Sequence, residues 1–356
     1  SVRVYKSLQE GRGAAVNILA DSILPENETK LVHLSGDATT EEKLNDPMFG
    51  ISVNAIRLVR TVEMYQWVED KKETKEKNLG GSTTTKTTYT YKREWEKDHV
   101  DSTGFNDPKD HQNPSSMPIT SDTQQASKVT VGAFGLSSQL ISQIKNSQPF
   151  TPPSLQINGL PPTIKTEPKL AGNQIYISNP VNQSESATSN SGNPAVGDIR
   201  VTYRVVKPQT VSIVAKQDGK TLGSYSTKAG EPICILAGGK QTADEMFTQA
   251  EKSNAMWTWI KRFIGFILML IGISMMLKPI SVLADVIPFF GNIVEVGLGI
   301  LAFLIALPLT LITIAVAWVA ARPLIGVPLL ILGIAVIIGG VVLVMKKKQT
   351  PAEATA

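Results

Sequence analysis

The sequence predicts an α+β protein, with a mostly antiparallel, β-rich extracytoplasmic domain followed by a C-terminal α-helical transmembrane bundle. Three observations predict it. Composition shifts along the chain: residues 1–250 are polar and mixed in charge, whereas residues 255–345 hold only six charges, Lys261, Arg262, Lys278, Asp285, Glu295 and Arg322. The polar part is built of short apolar/polar alternations bounded by turn residues, the period of half-buried strands. The apolar part contains runs that reach the roughly 20 residues a bilayer-spanning helix needs.

Taken in order, residues 1–30 open with "SVRVYKSLQEGRG", which lacks the apolar centre of a signal peptide. The domain from 31 to 254 carries strand patterns at "KLVHLSG" (30–36), "IRLVRTVEMYQWVED" (56–70) and "TTYTYKREWEKD" (87–98). More follow at "NQIYIS" (173–178), "DIRVTYRVV" (198–206), "TVSIVAKQDG" (210–219), "LGSYST" (222–227) and "PICILAGG" (232–239), and turns such as "QDGK" suggest an antiparallel meander. Two helical patterns interrupt, at 134–147 and 242–257; the second starts with Thr242 and Glu245 in capping-box spacing. Residues 183–194, "QSESATSNSGNP", read as a solvated loop.

The segment 56–98 reads as a hairpin closed across "NLGGSTTT". On one face Tyr65 and Trp67 are expected to meet Tyr89 and Tyr91 as cross-strand aromatic pairs. Two roles are open: a sheet face packed into the core, or an exposed stripe that contacts a partner subunit or lipid head groups.

The membrane helices are expected at 255–277, 296–320 and 323–345, and residues 346–356 form a tail opening with "KKK". Trp257 and Trp259 suit the membrane interface, and Lys261 and Arg262 are placed to snorkel. The stretch 278–295 is expected to lie in the interface, or to be a simple polar loop. Lys278 and Lys346–Lys348 on the C-terminal side favour a cytoplasmic C-terminus, which after three crossings puts the large domain in the periplasm or a lumen. Gly326, Gly333 and Gly340 recur every seven residues, as do Gly265 and Gly272. Such a seam lets helices approach closely, either between subunits or within one, against the first helix.

Chemistry is thin. Cys234 is the single cysteine and reads as a small core thiol. The histidines, His33, His99 and His111, have no metal-ligand spacing, and no nucleophile-elbow, phosphate-loop or dinucleotide motif occurs. The net charge of +4 is no nucleic-acid signal. We therefore expect no catalytic, cofactor-binding or metal-binding residues and no nucleic-acid partner.

Several blocks carry a resemblance. "LVHLSG", "DPMFGISVNAIRLVRTVEMYQWVE", "YTYKREW", "HQNPSSM", "VGDIRV", "STKAG" and "ARPL" occur in the order found in the LUMA family, also called transmembrane protein forty-three. The likeness spans nearly the whole chain, and "VEMYQWVE" is its most specific part. It implies a membrane protein of the endoplasmic reticulum and inner nuclear membrane, or of a bacterial inner membrane, since bacterial relatives exist. It further implies self-association into a homo-oligomer and the organising of protein complexes. "QEGRG" resembles the family segment that follows an N-terminal membrane helix: either such a helix lies ahead of Ser1, giving four helices with both ends cytoplasmic, or this member lacks it. The expected function is a non-enzymatic scaffold whose partners are itself, membrane lipid and other membrane proteins. A channel or channel-modulating subunit is the alternative, and a membrane-bound enzyme the third.

Overall fold

The computed structural model describes residues 2–77, 83–181, 189–284, 288–319 and 323–348, with backbone alone for 279–284, 288–297 and a few further positions in α4, α5 and the hairpin. Gly340 is one of these, so its surroundings lie outside the described residues.

The elements run α1 (Val2–Ala14), β1 (Val16–Asn17), β2 (Leu31–Thr39), β3 (Lys43–Asp46), β4 (Ile51–Asn54), β5 (Arg57–Lys77), β6 (Thr83–Glu96), β7 (Asp122–Gln125), β8 (Thr130–Val131), β9 (Phe134–Leu136) and α2 (Ser138–Gln143). They continue with β10 (Ser147–Phe150), β11 (Lys169–Ala171), β12 (Gln174–Ile177), β13 (Ile199–Val206), β14 (Gln209–Asp218), β15 (Thr221–Gly223), β16 (Ile235–Gly238), α3 (Ala243–Ala284), α4 (Pro288–Val319) and α5 (Pro323–Lys348). The protein is thus α+β, β-rich before its long C-terminal helices.

The chain forms two compact units. One holds residues 3–72 and 87–251; the other holds 252–356 with residues 1–2 and the end of the hairpin, 73–86. In the first unit one sheet has the order β1-β2-β8-β9-β15-β14-β16, and an added pairing of β2 with β14 closes its middle into a ring. The other has the order β11-β12-β13-β5-β6, with β10 on β13 and β7 on β5. Val32, Leu34, Val211 and Ile213 from the first sheet share one core with Leu58, Val62, Met64, Val201 and Val205 from the second.

The expected meander is broken at two points: β16 pairs with β14 rather than with β15, and the chain changes sheet between β13 and β14. β12 and β13 pair antiparallel, and so do β14 and β15, but β13 belongs to the second sheet and β14 to the first. The switch falls at Lys207-Pro208, where proline removes a ladder donor. The turn after Asp218 closes through Gly219, whose φ of +58° suits glycine.

The helical pattern expected over 134–147 is only partly helix. Phe134–Leu136 is strand and α2 covers Ser138–Gln143, because Phe134 and Leu136 are claimed by pairing with β8 and β15. Residues 2–14, which carry no strong periodic signal, form α1. It buries Leu8 and Gly11 against the start of α3. A Cβ on Gly11 would stand 3.0 Å from Phe247 Cε1 and closer still to the tip of Ile233, so glycine lets α1 approach this closely. Arg12 seals it, 2.6 Å from Asp244 and 3.2 Å from Glu251.

α3 starts at the expected capping box: the Thr242 amide donates to Glu245 at 2.8 Å, and the Glu245 amide donates back to Thr242 Oγ1 at 3.3 Å. Two helical stretches, Ala243–Lys278 and Leu298–Val319, are long and apolar enough to cross a membrane. In α5 the described apolar stretch is shorter, Gly326–Gly339. Backbone of 278–284 and 288–295 is helical, so the stretch read as an interfacial connection continues the helices at both ends, and only 285–287 lie outside the described residues.

Candidate functional site

Strand β5 has two unlike faces. Val62, Met64 and Gln66 are buried, while Tyr65 and Trp67, one residue out of phase, are half-buried on the other face. Gln66 is no misfit in the interior: its Nε2 donates to Asp98 O at 2.9 Å and its Oε1 accepts from the Val100 amide at 2.9 Å. Both aromatic roles expected from sequence are thereby altered. Tyr65 and Trp67 do not point into the core, nor do they form a bare stripe, because Trp95 packs on Tyr65 and the loop from 98 to 117 brings His111 and Asn113 onto Trp67.

The expected cross-strand pairs also change partner. Tyr65 packs on Trp95, with ring centroids 5.2 Å apart, rather than on Tyr89 or Tyr91. Trp67 meets His111 edge-on at 4.7 Å, and Tyr91 stacks on the same imidazole at 3.7 Å. His111, brought in by the loop, thus stands between Trp67 and Tyr91. Phe105 from that loop adds a second ring against Tyr91 at 6.0 Å. Tyr89 is half-buried further out.

The polar groups around these rings are matched. Tyr91 donates to Glu69 Oε2 at 2.7 Å and accepts from the Asp107 amide at 2.9 Å. Glu69 also accepts from the Asn106 amide at 2.6 Å. Desolvation first, then the Glu69 carboxylate, pushes the Tyr91 phenol above its ordinary range, so it stays a neutral donor. Arg93 lies over Trp67 at 5.2 Å and Arg200 over Trp95 at 4.6 Å. Arg200 is also paired with Glu63 at 2.6 Å.

Below the cluster, Gly197 sets the strand. Its φ is +101°, a Cβ there would fall 2.4 Å from Asn179 O, and its amide donates to Tyr65 O at 2.8 Å. Asp198 beside it is fully buried and accepts the Ala195 and Asn179 amides, each at 2.8 Å, and the Tyr176 hydroxyl. Burial and then that carboxylate hold the Tyr176 phenol neutral well past its ordinary range. Gly197 and Asp198 lie within the "VGDIRV" block, whose purpose is this brace under Tyr65 and Trp95.

Beyond Glu69 the hairpin continues as an arm. Residues 70–76 and 84–88 are exposed on both faces. β6 ends the order of its sheet, so its outer edge is unpaired among the described strands.

In the second unit the glycine seam is filled from within the chain. A Cβ on Gly326 would lie 2.6 Å from Val319 N, and one on Gly333 2.9 Å from Ile312 Cγ1. Both therefore seat α5 on α4 of the same chain. This replaces the expectation of a free inter-subunit face at these two positions, and also that of a seam against the first membrane helix. At Gly265 and Gly272 no atom stands within 4 Å of the place a Cβ would take.

Sequence reasoning placed Arg262 as a snorkelling cation and did not find its partners. Its guanidinium lies 5.0 Å from the Trp259 ring and 4.2 Å from the Trp318 ring. The first partner was legible, since Trp259 is three residues back on the same helix. The second depends on α3 and α4 running antiparallel, an arrangement confirmed by Phe266 on Phe303 at 5.8 Å and Thr310 on Met269 at 3.3 Å.

The profile of the family described as Transmembrane protein 43 matches residues 64–323. The chain is 36% identical to rat Transmembrane protein 43 over 313 residues, covering 85% of this chain and 74% of that protein. It is 34% identical to the human protein of that name over 352 residues, covering 95% and 82%. With a Drosophila homolog the identity is 31% over 318 residues, covering 86% and 78%. No solved structure matches the chain. The matched region begins inside the "VEMYQWVE" block (62–69), whose rings and Gln66 organise the hairpin, and the chain belongs to the Transmembrane protein 43 family.

Proposed function

We propose that this membrane protein is a non-enzymatic scaffold that self-associates and organises protein or lipid neighbours. Its large domain faces the periplasm or the lumen of the endoplasmic reticulum and nuclear envelope, and its lysine tail faces the cytoplasm. The observation that supports this reading is the β5–β6 arm. An isolated two-stranded hairpin is marginal in water. Here it runs past the last core contact with exposed Thr, Lys and Glu side chains and an open edge along β6. An open edge is a template for another strand. A second copy, offering the same edge in antiparallel sense, would satisfy both rows of backbone groups at once. A catalytic role draws no such support, since the polar groups around the aromatic cluster are committed to one another.

The test is stoichiometry in mild detergent. Replacing residues 72–87 by an Asn-Gly turn should reduce the assembled form to monomer without shifting the unfolding transition of the domain. Full assembly by the shortened protein would refute the arm's role. In the same preparations, a single cysteine placed in the 349–356 tail on a Cys234→Ser background reports orientation. It should be labelled only in permeabilised cells, and labelling from outside intact cells would reverse the topology.

A further inference from the structure

We propose that Arg262, between Trp259 and Trp318, is the head-group site of an anionic phospholipid whose acyl chain lies in the groove between α3 and α4. This deepens the lipid part of the proposed function and rests on α3 and α4 crossing a membrane, not on the arm.

The groove has a volume of about 280 Å³ and is lined by Arg262, Gly265, Met269, Ile314, Ala317 and Trp318, with Thr310 and Thr313 at its wall. Its polar end is a single cation. Arg262 is half-buried and stacked by two indoles, yet it has no hydrogen bond and no carboxylate partner among the described residues. A guanidinium has five donors in a fork that matches a phosphate, and no side chain among the described residues takes them up. Tryptophans sit at the head-group level of bilayers, which places the cation at the depth of lipid phosphates.

The rest of the groove is apolar. Gly265 makes room, with no atom within 4 Å of where its Cβ would be. Met269, Ile314 and Ala317 supply the walls. The two threonine hydroxyls are taken up within the protein: Thr310 lies 2.7 Å from Ala306 O and 3.3 Å from Met269 Sδ, and Thr313 donates to Leu309 O at 2.8 Å. A cation at one end and hydrocarbon below it are complementary to a phosphate joined to an acyl chain. Neither a free anion nor a neutral apolar ligand uses both halves.

The experiment uses the full chain in mild detergent, equilibrated with phosphatidylglycerol and phosphatidylcholine in equal amounts. Lipid retained per subunit is counted by native mass spectrometry. The wild type should retain phosphatidylglycerol preferentially. Arg262→Gln should lower that retention about tenfold, the size of one charge-assisted contact. Gly265→Leu should do likewise by filling the groove while keeping the charge. Lys261→Gln, which removes the neighbouring exposed cation outside the groove, should change little. Equal loss in Lys261→Gln and Arg262→Gln, or undiminished retention in Arg262→Gln, would overturn the site. Displacement by glycerol phosphate as effective as by phosphatidylglycerol would overturn the acyl-chain half. Should a variant fail to fold, the wild type decides: dibrominated phosphatidylglycerol should quench its tryptophan fluorescence more than dibrominated phosphatidylcholine, and equal quenching would refute the proposal. Assembly is read separately as subunit stoichiometry, so loss of lipid and loss of self-association are distinguishable.

Discussion

At the base of the β5–β6 hairpin Arg200 lies over Trp95 and is paired with Glu63. At the start of the membrane stretch of α3, Arg262 lies over Trp259 and Trp318 with no carboxylate among the described residues to balance it. The two sites share their chemistry and differ in closure. In the first, charge, rings and backbone donors are satisfied within the chain, and the cluster braces the sheet. In the second the ring contacts are made and the charge is left for something outside the chain. An arginine stacked on tryptophan is therefore not by itself a binding site. The informative quantity is what remains unpaired once the stacking is counted, because cation–π contact is worth only about 0.5–2 kcal/mol and leaves the five guanidinium donors free to take a phosphate.

The largest effect expected from this contrast is on folding. Trp95 touches Tyr65, Tyr176 and Arg200 at once. Trp95→Ala should cost the soluble domain about 2–4 kcal/mol, toward the lower end of large-to-small core changes because the ring is half-buried. Denaturant unfolding followed by near-ultraviolet circular dichroism measures it. Trp259→Ala should leave the same transition within about 0.5 kcal/mol, as for a side chain with no part in that core. Similar losses from both would dissolve the distinction between a bracing cluster and an open one.

A smaller effect separates intrachain packing from assembly. Gly333→Ile has to push Ile312 aside and should destabilise the α4–α5 pair by about 1–3 kcal/mol, as overpacking does. Gly339→Ile, with open space over its Cα, should be close to neutral. Thermal release of α5, read by protease nicking of the reconstituted protein, should rank them in that order while subunit stoichiometry stays fixed. A change of stoichiometry in Gly333→Ile with unchanged stability would restore the seam to a role between subunits.

How much of this was legible follows from range. The capping box at Thr242, the apolar runs and the alternation of β5 and β6 are local signals, and they point to the right elements. That Tyr65 and Trp67 share a face follows from the alternation alone, whereas the partners of that face do not. His111 and Phe105 reach that face through a loop with no periodic pattern, and nothing in residues 60–70 specifies that a loop must lie on them. The switch between sheets at Lys207-Pro208 was hidden for a similar reason, since two adjacent alternating runs look alike whether they pair or part. The glycine spacing announced close helix packing without naming the partner. Seven-residue steps occur in both α3 and α5, and only the steric surroundings tell that α4 fills Gly326 and Gly333 while Gly265 is open. Helix α1 was missed because its apolar residues are few and its stability is borrowed from Phe247, Ile233 and Arg12's partners on α3.

The smallest effect expected is at the junction where α3 starts. Thr242 and Glu245 cap each other, and the Thr242 amide first, then its hydroxyl, holds the Glu245 carboxyl below the usual carboxylate range. Thr242→Ala removes the hydroxyl that accepts the Glu245 amide and should loosen the first turn by about 1 kcal/mol, a typical N-cap loss. Because the folded pKa of Glu245 is depressed, its contribution is fully present above the ordinary carboxylate range and disappears as pH falls through the lowered value. Hydrogen exchange at the amides of 243–248, compared between wild type and variant at each pH, should therefore show faster exchange in the variant at neutral pH and a narrower gap in acid. A gap that does not narrow would assign the cap to the threonine hydroxyl alone. The consequence reaches the α1 crossing, since Asp244, Thr248 and Glu251 present themselves to Arg12 only while this first turn and the next are helical. Thr242→Ala should thus also speed exchange in α1, and by less than in α3 itself, because Leu8 and Gly11 keep their apolar contacts when the cap is gone.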